Sequence, residues 1–183
     1  MKSNVKIQTA LAPVPIAMVS CGDDLSNNIT TIAWTGIINS EPPLVYVSIR
    51  PSRHSYSIIK NLGEFVINIP DEKLVFAADF CGTKSGREID KFKEAKLTRE
   101  KAKIVKAPLI KECPINIECK LKEIKQLGSH DMFIGEIVAV KAYDEYVKEN
   151  GSIDYGKANL LTYMGQEYFV ANKKIADRGI CLK

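Results

Sequence analysis

Two arginines, one histidine and two serines crowd into Arg50-Pro51-Ser52-Arg53-His54-Ser55. Guanidinium forks match the oxygens of a phosphate monoester, and hydroxyls add neutral donors. The run before this turn, Pro42-Pro43-Leu44-Val45-Tyr46-Val47-Ser48-Ile49, is apolar and β-branched. So is Asn28-Ile29-Thr30-Thr31-Ile32-Ala33-Trp34 upstream. Two apolar strands that meet a cationic turn suit a ligand with a phosphate at one end and a flat aromatic head at the other. Flavin mononucleotide (FMN) is the first candidate.

The elements that must position these residues are mostly strands. Ile16 to Cys21 ends at the turn signal Gly22-Asp23-Asp24. Ile29 to Thr35 is read as one strand, Leu44 to Ile49 follows Pro42-Pro43, and Glu64 to Ile69 stops at Pro70. Ile115 to Lys122 alternates apolar and polar, and pairs with Met132 to Val140 through the segment Leu127 to Asp131. Helices interrupt the pattern. Ser55 to Leu62 ends at Gly63, with Ser52 or Ser55 as the cap, and its N-terminus adds to anion binding at Arg53 and His54. Asp71 to Cys81 and Arg87 to Ala95 read as two more helices. The spacing of the strands predicts a mainly β antiparallel barrel with helical insertions. No strand–helix–strand rhythm with a glycine-rich turn appears, which argues against a Rossmann site.

A chain of 183 residues suits one domain over 1–183, with 144–183 as an extension of it. Net charge is +4, and the lysines alternate with acids as in Lys122-Glu123-Ile124-Lys125, so nucleic acid is not the expected partner. No run approaches the ~20 apolar residues of a membrane span. The start, Met1 to Lys6, lacks a signal-peptide pattern, so a cytoplasmic protein is expected. Five cysteines without a CxxC read as reduced, mostly buried thiols, and no metal site is expected. Two histidines leave almost no room for a Ser-His-Asp arrangement.

These segments, with Gly63-Glu64-Phe65-Val66-Ile67-Asn68, Cys81-Gly82-Thr83-Lys84-Ser85-Gly86-Arg87, Asp90-Lys91-Phe92 and Gly128-Ser129-His130, resemble the flavin reductase-like FMN-binding family, and within it the flavoredoxin type. The resemblance covers about residues 12 to 142. It implies a split β-barrel of Greek-key connectivity, usually a homodimer, with FMN near the subunit interface. Carried over by position, Thr30, Thr31, Ile32, Ala33 and Trp34 would line the isoalloxazine ring. Ser48, Ile49, Arg50, Arg53, His54 and Ser55 would surround the ribityl chain and phosphate. Cys81, Ser85, Gly86 and Arg87 would form a second loop that closes over the cofactor. Lys91 would reach the flavin as a cation, and His130 would sit near the ring or the electron donor. The commonest reductases have Gly-Asp-His where this chain has Gly128-Ser129-His130.

The resemblance implies an FMN-dependent oxidoreductase. Electrons would come from NAD(P)H or from a redox protein and leave to an acceptor. The alternative is a non-catalytic flavin carrier or a scaffold with the same barrel. Each residue also has a plainer reading: Trp34 as core, Arg50 and Arg53 as partners of surface acids, Lys91 as a solvated helix lysine, His130 as the start of a strand, and Cys81 as core. Residues 144 to 183 could cover the barrel, exchange between subunits or shape the acceptor pocket.

Overall fold

The computed structural model describes residues 1–182. Its strands are β1 (Val14–Pro15), β2 (Ala17–Gly22), β3 (Asn27–Ile32), β4 (Thr35–Ser40), β5 (Pro43–Ile49), β6 (Glu64–Ile69), β7 (Arg99–Glu100), β8 (Leu109–Ile110), β9 (Ile115–Gln126), β10 (Asp131–Ala142), β11 (Leu160–Met164) and β12 (Glu167–Ala171). Helix α1 (His54–Leu62) lies between β5 and β6, and α2 (Val75–Thr83) and α3 (Lys91–Glu94) lie between β6 and β7.

Seven strands form one antiparallel sheet in the order β3-β2-β6-β9-β10-β5-β4. β3 and β4 are neighbours in the chain but stand at opposite edges, with only Ala33 and Trp34 between them. Laid flat, seven strands would span ~29 Å at ~4.8 Å per gap. The chain from Ile32 to Thr35 reaches about 11 Å at most. The sheet must therefore roll until its edges meet at this corner. A backbone bond from the Ser48 N–H to the Trp34 carbonyl, 2.9 Å long, fastens the corner. The non-sequential strand order matches the Greek-key expectation, and the mainly β architecture with helical insertions is as predicted.

The barrel interior holds Ala17, Val19 and Cys21 of β2, Val45, Val47 and Ile49 of β5, and Phe65, Ile67, Cys119 and Phe133 from β6, β9 and β10. Helix α1 adds Ile59 to this interior and ends on Gly63 in the left-handed conformation (φ 72°). Outside the barrel, Ile16, Met18 and Ile29 pack against Ala77, Ala78 and Cys81 of α2 and Phe92 of α3. β2 is thus buried on both faces, which explains its largely apolar run, with the buried Ser20 hydroxyl satisfied by the Pro108 carbonyl.

Several sequence expectations are corrected. The run Ile29 to Thr35 is not one strand: β3 ends at Ile32 and the chain turns the corner before β4, because the closing edge needs the bend. Asp71 to Cys81 starts as a 3-10 turn over Glu72–Leu74 before α2. Only Lys91–Glu94 of the third expected helix is helical, since Asp90 caps it by accepting the N–H groups of Phe92 and Lys93. Neither Ser52 nor Ser55 caps α1; its N-cap is Arg53, without a side-chain bond.

The polar face of β9 is also not solvent-facing at its start. A strap over 97–113 covers it. Glu118, 2% exposed, accepts the N–H groups of Lys103, Ile104 and Val105 at 2.8, 2.7 and 3.2 Å. Asn68 accepts from the Ile110 N–H and from Asn116.

Candidate functional site

A cleft of about 350 Å³ opens where the sheet edges meet. One wall is Thr30 to Trp34, from β3 and the corner. The other is Ser48, Ile49, Arg50 and Arg53, from the end of β5 and the loop before α1. His130 reaches the cleft from the turn between β9 and β10, and Tyr163 from β11. A second hollow of about 180 Å³ adjoins it and shares Thr30, Arg50 and Arg53. Ser52, His54, Ser85, Gly86, Arg87 and Lys91 line this hollow, together with Asn28 and Lys84.

The second hollow carries an unbalanced charge. Its cations are Arg50, Arg53, Lys84, Arg87 and Lys91, and among the described residues no carboxylate lines it. None of these five takes part in a salt bridge among the described residues. The N-terminal N–H groups of α1, uncapped by any side chain, lie at the same end. Burial and the nearby Arg87 and Lys91 charges push His54 below its usual value. Burial, with Arg50 and Arg53, does the same to His130. Such a site attracts an anion, and a dianion above all.

Local bonds join the two loops. Arg87 donates from Nη1 to the Ser52 carbonyl at 2.9 Å. Gly86 packs so tightly on Asn28 that a Cβ there would stand 2.0 Å from the Asn28 Oδ1. Asn28 in turn donates to the Ser55 hydroxyl at 2.8 Å.

Three expected residues stand elsewhere than expected. Ser55 lies inside α1, fully buried, and its hydroxyl accepts from Asn28 instead of lining either hollow. Cys81 faces the outer core beneath α2, where burial raises its thiol to about 11. Lys91 sits at the anion end, not beside Thr31 to Trp34. Its ammonium donates to the Ile29 carbonyl (2.8 Å) and the Cys81 carbonyl (2.7 Å), and burial lowers it to about 8. It answers an orphan carbonyl in the last turn of α2 and pins that helix to β3.

Three lining residues, Asn28, Lys84 and Tyr163, were not singled out for the site from the sequence. Asn28 gave only a turn-forming signal ahead of a strand. Tyr163 lies in the 144–183 segment, where β11 pairs with β1 and β12.

A model of the flavin reductase-like domain matches residues 9–171. The chain belongs to this family. An uncharacterized protein of Archaeoglobus fulgidus is 36% identical over 128 residues, which cover 70% of this chain and 72% of the relative. Flavoredoxin of Desulfovibrio vulgaris (Miyazaki F) superposes with a TM-score of 0.92 at 33% identity, covering all of both chains. Flavoredoxin from Methanosarcina acetivorans gives 0.88 at 25% identity, again over both whole chains. An FMN-binding protein from Thermus thermophilus shares the fold at 24% identity, with a TM-score of 0.82 over 96% of this chain and all of that one.

The residues present fit a flavin. Among the described residues Thr31 Oγ1 finds no hydrogen-bond partner; it is buried within the β3 wall of the larger cleft, where the Thr31 side chain packs toward Gly82 of α2. An orphan hydroxyl of this kind is costly unless a ligand answers it. The strand wall beside it mixes apolar side chains with backbone and hydroxyl groups, and the cations gather toward the second hollow.

Proposed function

We propose that the protein holds FMN in this cleft and relays electrons through it, from NAD(P)H or a reduced redox protein to an acceptor. One observation carries the reading: five cations without a carboxylate partner among the described residues share a hollow that adjoins a partly apolar strand wall. When bound, the flavin supplies the electron-carrying chemistry. The chain does the rest. Arg50, Arg53 and Arg87 hold the phosphate, with α1 adding its dipole. The backbone from Thr31 to Ala33 and the Thr31 hydroxyl orient the head. Trp34 and Tyr163 keep water from it. His130 lines the cleft with its Nδ1 3.0 Å from the Ser129 hydroxyl.

The similarity to two flavoredoxins favours a redox protein as electron donor over a nicotinamide. The family resemblance also favours a second copy of the chain beside the cleft. Anaerobic titration of the FMN-loaded protein is the test. Bleaching of the visible flavin band by NADH or NADPH supports a reductase. Bleaching only by a reduced redox protein supports the carrier. A protein that takes up no FMN removes both.

A further inference from the structure

Trp34 and His130 come from different elements and touch. Trp34 closes the corner between β3 and β4, and His130 ends the turn between β9 and β10. Both line the larger cleft. Their ring centroids are 4.6 Å apart with the planes at 48°, a contact distance for aromatic pairs. The pair therefore bridges two walls of the cleft.

We propose that this contact is a gate, and that its rings part to admit a planar ligand to the strand wall of Thr31, Ile32 and Ala33. The two sides of the gate are held unequally. The Trp34 carbonyl accepts the Ser48 N–H, which fixes its backbone to β5. His130 hangs from an exposed turn, Leu127 to Ser129, with Gly128 at φ 106°. Among the described residues, the one side-chain hydrogen bond of its ring is to the adjacent Ser129. The His130 turn is the side that moves, as sparsely held loops do at ligand sites.

The gate rests on the reading that a flavin enters this cleft, and its test separates the two. Trp34 is the only tryptophan, so its emission reports on the contact directly. In flavin-free protein, a protonated imidazole quenches a touching indole. Emission should fall as the pH drops below the ordinary histidine value of 6.5, because burial, Arg50 and Arg53 oppose the His130 proton. His130→Ala should abolish that fall; emission independent of pH in the unaltered protein would overturn the contact. Stopped-flow binding of FMN then tests the gating. His130→Ala should raise the association rate constant by several-fold, the signature of a lowered barrier. A rise in dissociation alone, with matching loss of affinity, would make His130 a plain binding contact and overturn the gate. So would unchanged rates. Unaltered protein that binds no FMN would sink the cofactor reading itself, and the gate with it.

Discussion

Arg53 and Lys91 line the same hollow but do different work. Arg53 is exposed and has no salt-bridge partner among the described residues, so its guanidinium is free for a phosphate. Arg53→Ala should weaken FMN binding by about 1.5–3 kcal/mol, the range for a lost hydrogen bond to a charged group. Fluorescence titration measures it, and unchanged affinity would remove Arg53 from the phosphate site. Lys91 spends two donors on the Ile29 and Cys81 carbonyls and acts by position and charge. Burial lowers it from 10.5 to about 8. A bound dianion favours the charged form, so binding raises that value again. FMN affinity should therefore hold below about pH 8 and weaken as the pH rises beyond it. Lys91→Met should flatten this profile in titrations run at several pH values. For folding the sign is opposite. The unfolded chain binds more protons between pH 8 and 10.5, so Lys91 costs stability below that window and the cost is relieved through it.

Among the elements, the strap over 97–113 shows how one buried carboxylate organises a segment with little regular structure. Glu118 takes three consecutive backbone N–H groups, and Glu64 takes the Lys106 N–H at the same edge. Beneath the strap, Val66 packs with Ala102, Val105, Ala107 and Leu109. Glu118→Ala should cost about 2–3 kcal/mol, because the Val105 N–H stays buried and two more lose a charged acceptor. Chemical denaturation monitored by circular dichroism reads this out; a change within error would mean that water replaces the carboxylate freely. The alternation of Ile115 to Lys122 revealed the strand. It could not reveal that the polar face was covered, because the cover comes from residues with no periodicity of their own.

For the molecule as a whole, the open question is what lies against the edge strand β4. Ile37 and Ile38 there are 70% and 47% exposed. An apolar sheet edge invites a partner. A second copy of the chain is the proposed one, and light scattering of the FMN-loaded protein should give twice the mass of one chain. A stable monomer with FMN bound would contradict it.

The sequence alone determined strands β2, β5, β6, β9 and β10, the cationic turn after β5 and the family likeness, because those signals are local: β-branched runs, a cluster of arginines and hydroxyls, short motifs. It did not determine which residues share a site. Lys84, Arg87 and Lys91 join Arg50 and Arg53 only because α2 packs on β3, and Tyr163 arrives only because β11 pairs with β1. Ser55 and Cys81 looked like site residues in the sequence and were turned inward by the same packing. Closure of the barrel at Ala33–Trp34 brought the β3 wall and the end of β5 together. Burial, pairing and charge excess depend on contacts between residues far apart in the chain, and no local pattern records them.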